Sequence, residues 1–178
     1  MEKALIALNE IVADGVISNY AIGDAVGAAF YIEAMQTEDV DAFVFMKPEP
    51  NGLLSLSPIY AALTAKGGVV HDEHIVIDGW PIQVLPAYKP LVEEALSEAI
   101  ATTFKDIPTR VFSPEYSCAI ALDTGRGKDF VRVEAFIEQG QVDLKKLWKI
   151  VEKYGLKDVL IAARVKVVVA SFMQPSAE

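Results

Sequence analysis

Residues 20–46 read YAIGDAVGAAFYIEAMQTEDVDAFVFM, and the fold turns on this stretch. Asn19–Ile22 is a short extended piece that turns at Gly23. The small and apolar residues that follow predict a helix over roughly 24–35. The run Asp39–Met46, DVDAFVFM, then returns to β-prone residues. Asp39 and Asp41 are two apart on that strand, so both carboxylates project from one face while Val40 goes to the other. Two carboxylates side by side repel unless a cation lies between them. Hard oxygens at this separation suit Mg2+, which is commonly held by one or two carboxylates together with substrate phosphates. Most D-x-D pairs are solvated acids; position distinguishes this one, because Ala42–Phe45 carries the strand on into a core. The glycine adds a second signal. It lets a phosphate approach the backbone, and the helix start behind it presents free N–H groups with partial positive charge.

Working outward, Leu5, Leu8, Ile11 and Val12 recur at helical spacing over residues 2–14, and Gly15 stops the run. Ser57-Pro58 reads as an N-cap and first-turn proline of a helix that Gly67-Gly68 closes. HIVIDGWPIQVL holds two strand-like runs joined by Asp78-Gly79, a strong hairpin signal. Pro81 disfavours a central place for the start of the second run. Tyr88-Lys89-Pro90 leads into a long helix to about Phe104, and Thr109–Phe112 forms a short strand. Ser113-Pro114 caps a helix that ends near Gly125. Two more helices follow, roughly 127–139 and 144–154, with Asp143 capping the second and Gly140 and Gly155 as terminators. The order predicts an α/β (α+β) protein: a mixed sheet flanked by helices, with a C-terminal helical bundle. The α/β core is expected over 1–112, the helical region over 113–173 and a frayed tail over 174–178.

Composition bounds the function. With 178 residues, 52 % apolar, the chain can bury a substantial core, and general disorder is excluded. The net charge of −9 is uneven: residues 1–125 hold 6 Lys/Arg against 18 Asp/Glu, and residues 126–178 hold 10 against 7. Bulk electrostatics therefore do not draw this protein to nucleic acid, although a local basic face in the C-terminal third stays open. The start, MEKALIALNE, lacks a signal-peptide pattern. The longest apolar run, Val159–Met173, is short and is interrupted by Arg164 and Lys166, so no membrane partner is expected. A single cysteine, Cys118, excludes an internal disulfide and fits a cytoplasmic setting. In its apolar helical context it reads as a buried, inert thiol.

Four segments, AIGDAVGAAFYIEAMQTEDVDAFVF, GWPIQVLPA, EYSCAIALDTGRGKDFVRVEAFIE and KIVEKYGL, together resemble the nucleotidyltransferase superfamily over roughly residues 15–156. The resemblance is to bacterial and archaeal proteins related to abortive-infection toxins and minimal nucleotidyltransferases. It implies a transferase that moves a nucleoside monophosphate from a nucleoside triphosphate to a hydroxyl on RNA, protein or a small molecule, with Mg2+ or Mn2+ as cofactor. It places Gly23 at the phosphates and makes Asp39 and Asp41 the catalytic metal ligands. The third carboxylate of the family falls at Gln83, whose amide offers an uncharged oxygen. Asp24 stands where the family has a small Gly or Ser, and Asp123 where toxin-like relatives often carry a lysine. Arg126 and Lys128 match the family's R-x-K-D stretch and either grip phosphates or cap neighbouring helices, with Asp129 at the next helix start. The departures at 24, 83 and 123 also admit a degenerate, non-catalytic binding or regulatory module with a cognate partner protein in a toxin–antitoxin or defence pair.

Other groups are set aside. His71-Asp72-Glu73-His74 reads as a solvated turn, since no third ligand has metal-site spacing. Lys145, Lys149 and Lys153 form a basic helical stripe with Lys146 nearby, by default a solvated face and otherwise a surface for RNA or a partner. Trp80, Tyr60 and Tyr88 read as core or rim rather than as stacking platforms for a base. No Ser-His-Asp signature is present, and GKDF lacks the glycine spacing of a P-loop.

Overall fold

The computed structural model describes residues 1–33, 37, 39–46 and 54–162. Glu38, the far end of the helix expected over 24–35, most of the run Val159–Met173 and the tail 174–178 lie outside the described residues. The chain divides into two compact units, Met1–Phe30 with Ala34–Phe112, and Tyr31–Glu33 with Ser113–Glu178.

The first unit is built on a mixed sheet. Its strands are β1 (Tyr20–Ile22), β2 (Val40–Val44), β3 (Val69–His71), β4 (His74–Ile77), β5 (Trp80–Pro86), β6 (Ile100–Phe104) and β7 (Ile107–Val111). They lie in the order β3-β4-β5-β2-β1-β7-β6. β2 runs parallel to β5 and antiparallel to β1, and β1 runs parallel to β7. Alternation sorts the residues: Val40, Ala42 and Val44 are fully buried with Ile22, Ile75, Ile82 and Val84 in the core. Helix α1 (Glu2–Ala13) buries Leu5, Leu8 and Ile11, each worth about 1.5–3 kcal/mol. The Tyr20 hydroxyl ties that helix in, donating to Asn9 Oδ1 at 3.0 Å and lying 3.1 Å from Thr109 Oγ1. At the start of α1, Lys3 pairs with Asp78 at 2.8 Å and Glu2 with Lys105 at 2.7 Å.

Several expectations shift here. The helix after Gly23, α2, covers only Asp24–Ala28. Bulky Tyr31 and Ile32 belong to the second unit, where Tyr31 packs on Phe136 at 6.2 Å, and that packing outweighs continued helix. Ser57 is the first residue of α3 (Ser57–Ala65) rather than its cap; its N–H donates to Ser55 Oγ at 3.1 Å. The helix expected to reach Phe104 stops early, as α4 (Pro90–Ser97). IATTF is strand β6 instead, because Ile100, Thr102 and Thr103 are β-branched and Lys105-Asp106 makes a tight turn with φ of 45° and 68°. Pro81 does sit inside the sheet. The closing pair Ile77–Trp80 exchanges the ladder bonds, so Pro81 opposite Val76 owes no N–H to β4, and pairing with β2 begins one residue later at Ile82.

The second unit is helical: α5 (Pro114–Thr124), α6 (Gly127–Glu138), α7 (Leu144–Lys153) and α8 (Lys157–Ala162). Ser113 caps α5 through Tyr116 N–H, and Asp143 caps α7 through the N–H groups of Lys145 and Lys146 at 2.9 and 3.1 Å. Buried Glu115 links the two starts, accepting from Ser113 Oγ at 2.9 Å and from Asp143 N–H at 3.0 Å. Cys118 is fully buried, and burial pushes its thiol far up, so it is inert as expected.

The Tyr31 hydroxyl is buried without a hydrogen-bond partner among the described residues. Burial raises it to about 12, against 10.0 for an ordinary tyrosine. The folded state thus prefers the neutral phenol. The stability this preference contributes is intact below about pH 10 and lost as pH rises toward 12. Tyr31→Phe should flatten that loss in urea titrations across the window. Below it, removing an unpaired hydroxyl should leave stability unchanged or raised by about 1–2 kcal/mol.

Candidate active site

The site begins with the register of three neighbouring strands. Asp41 lies opposite Gln83 on β5, and Gln83 lies opposite His74 on β4. Register partners share a face, so these side chains form a row on the side of the sheet away from Val40 and Ala42. The Gly23 N–H donates to the Asp41 carbonyl at 3.0 Å, which continues the β1–β2 ladder and adds Gly23 to the row. Asp41 is only 8 % exposed. It therefore combines a charge-bearing group with a largely dehydrated position, where opposite charge is bound strongly.

Asp39, expected on the strand, sits one residue before β2 and is half-buried. Thr37 Oγ1 donates to its carbonyl at 3.2 Å, and His74 Nε2 lies 3.5 Å from Asp39 Oδ2. That contact joins Asp39 to the row. The sequence places His74 in a solvated turn, whereas the structure makes it the first residue of β4, with its side chain only 24 % exposed. The signal was available, since the two-residue turn at Asp78-Gly79 alone sets His74 opposite Gln83. His71, its hairpin partner, remains exposed and pairs with Asp72 at 3.3 Å.

At Gly23 a Cβ would fall 2.5 Å from Phe43 Cε2 and 3.0 Å from Phe112 Cε2. Those rings pack at 4.8 Å, and Phe43 is two residues beyond Asp41 on the same face. Glycine is needed for that aromatic packing, and its N–H is already spent in the ladder. Asp24, the next residue, has φ +45°, a left-handed conformation that glycine adopts freely and aspartate tolerates.

Arg126 and Lys128 belong to the helical unit. The Arg126 guanidinium makes a two-point bond to Asp129, Nε to Oδ2 at 2.7 Å and Nη2 to Oδ1 at 3.0 Å. Its backbone N–H also donates to Asp129 Oδ2, closing a capping box at the start of α6. Lys128 is exposed in the first turn of α6, and Asp123 is exposed near the end of α5.

Among the described residues, no three His, Cys, Asp or Glu side chains form a metal-holding group by themselves. The oxygens of Asp39, Asp41 and Gln83 still fit a hard divalent ion on condition that the substrate brings further oxygens, as Mg2+ sites usually require. Among the described residues, no helix is long and apolar enough to cross a membrane.

No family model matches the chain, and no curated protein matches its sequence. Among solved structures, an antigenic nucleotidyltransferase-like protein from Paracoccidioides brasiliensis is similar, with TM-score 0.54 and 16 % identity over 97 % of this chain and 96 % of that one. The fold is therefore nucleotidyltransferase-like. Two structures of the antibiotic-resistance factor ANT(2'')-Ia align more weakly, both at TM-score 0.46, with 18 % and 16 % identity. They cover 96 % and 97 % of this chain and 95 % and 92 % of theirs, and one is a complex with adenylyl-2''-tobramycin.

Proposed function

We propose that this chain transfers a nucleoside monophosphate from a nucleoside triphosphate to a hydroxyl acceptor, using a divalent metal ion. The observation that carries the reading is the row Asp41–Gln83–His74 with Asp39 drawn to its end, on a nucleotidyltransferase-like sheet. In the reaction the acceptor oxygen bonds to the α-phosphorus while the bridging oxygen leaves with pyrophosphate, and the hydroxyl proton passes to solvent. Asp39, Asp41 and Gln83 would hold Mg2+ or Mn2+, which supplies positive charge to the phosphate oxygens when bound. Asp41 contributes a carboxylate fixed by its strand and shielded from water. Asp39 is steadied by Thr37 below and His74 beside it. Gly23 acts by leaving room for the rings that wall the face, and with its N–H committed to the ladder the nucleotide phosphates would approach the backbone at Asp24 instead. Arg126 holds Asp129, which leaves Lys128 as the freer cation for a phosphate or an RNA acceptor.

A second reading is favoured by Gln83, which leaves the row with one fewer charge than a three-carboxylate site. On it the protein is a non-catalytic binding or regulatory module working with a partner protein. Incubation with each nucleoside triphosphate, Mg2+ or Mn2+, and cellular RNA or protein separates the two. Pyrophosphate release supports transfer; its absence with every combination removes the first reading. Gln83→Asp tests the site directly. Adding a carboxylate beside Asp41 should tighten Mn2+ binding about tenfold by calorimetry, and an unchanged affinity would mean that position 83 does not face the metal.

A further inference from the structure

The sheet-bearing unit contains a half-open pocket of about 220 Å³ whose wall is almost wholly apolar and whose lining includes the exposed Ala29. Val26, Ala29 and Phe30, from α2 and the turn after it, line it together with Trp80 and Phe104. Phe30 and Phe104 meet edge to face at 6.4 Å, so part of the wall is a fixed aromatic corner. Thr37 supplies a polar side chain to the lining, and its hydroxyl is already committed to the Asp39 carbonyl at 3.2 Å. Besides that hydroxyl the lining holds two donors, the Trp80 indole N–H and the amino group of Met1, so the pocket offers mainly shape and dispersion. An apolar cavity of roughly 150 Å³ takes up benzene, so this one has room for a fused two-ring hydrocarbon. A nucleobase is a poor fit, because these donors leave most of its polar edge atoms unpaired, each at a cost of roughly tenfold in affinity.

We propose that this cavity is a binding site for an uncharged aromatic group of about naphthalene size. Thr37 lines the pocket and bonds the Asp39 backbone carbonyl, whereas Trp80 and Phe104 lie on the Val40–Ile82 face of the sheet, so the pocket opens on the face opposite Asp41 and Gln83.

The test uses the full chain carrying Trp148→Phe, so that Trp80 is its one remaining indole. 2-Naphthol is titrated in by calorimetry with Trp80 emission followed in parallel, without nucleotide or metal. Saturable binding with quenching of Trp80 is expected, and Ala29→Phe should raise the midpoint at least about tenfold by filling the site. Ala29→Leu serves the same purpose if the phenylalanine variant does not fold. Adenosine should neither bind in its place nor displace it. The site is overturned by the absence of saturable binding, by a midpoint indifferent to both variants, or by displacement with adenosine. Because binding is read without catalysis, 2-naphthol uptake by a chain that releases no pyrophosphate supports the site all the same.

Discussion

Asp41→Asn is expected to lower pyrophosphate release by at least about a hundredfold while leaving thermal unfolding unchanged or shifted upward. The substitution keeps the size of the side chain and removes its charge. On the nucleotidyl-transfer reading that charge lies in a position only 8 % exposed, where it holds the metal and, through it, the phosphates. Removing one fixed group that stabilises transition-state charge typically costs about 10²–10³-fold in turnover. Stability moves the other way, because a buried carboxylate retained for function is costly to desolvate. Turnover would be measured as pyrophosphate released per chain, and stability by calorimetric melting of the same preparation. A variant that keeps near-native release would take Asp41 out of the reaction. Loss of activity with collapse of the fold would instead mark it as structural.

Asp129→Ala should have the largest effect on stability, a loss of about 3–5 kcal/mol in urea unfolding. Asp129 is fully buried. Its two oxygens accept from two guanidinium nitrogens of Arg126, and Arg132 Nη1 lies 3.5 Å from Oδ1, the oxygen that also takes Arg126 Nη2. Arg132 is itself only 5 % exposed, so truncation would remove a carboxylate that faces two guanidinium groups, one of them buried. Arg126→Ala should cost much less, since that side chain is half exposed and Asp129 keeps Arg132. Equal losses from both variants would contradict the asymmetry.

Much of the fold could be read from punctuation. Ser113-Pro114, Gly125, Gly140, Asp143 and Gly155 mark helix ends because their backbone and capping requirements are local. The hairpin at Asp78-Gly79 is legible for the same reason. The failures share a cause. Whether IATTF extends a helix or starts a strand is decided by β7, which β6 pairs along its length; Ile100, Thr102 and Thr103 suit a strand but do not name that partner. α2 ends at Ala28 because Tyr31 and Ile32 have neighbours elsewhere. At the site, Asp39, Asp41, Gln83 and Gly23 were singled out on spacing and resemblance. His74 was passed over because composition calls a polar cluster a loop, whereas hairpin register makes it a cross-strand neighbour of Gln83.

The strand order carries a consequence for how the molecule is made. Ile22 pairs with Ala42, close by in the chain, and on its other side with Val111, which is synthesised far later. Until the β6–β7 hairpin emerges, the nascent sheet ends at β1, whose three residues are all buried in the finished protein. A flat apolar edge of that kind recruits other strands. Refolding should accordingly be slow at its last step and sensitive to protein concentration, and a fragment ending before residue 100 should associate with itself. Glu2, in the first turn of α1, can pair with Lys105 only once that last hairpin has arrived.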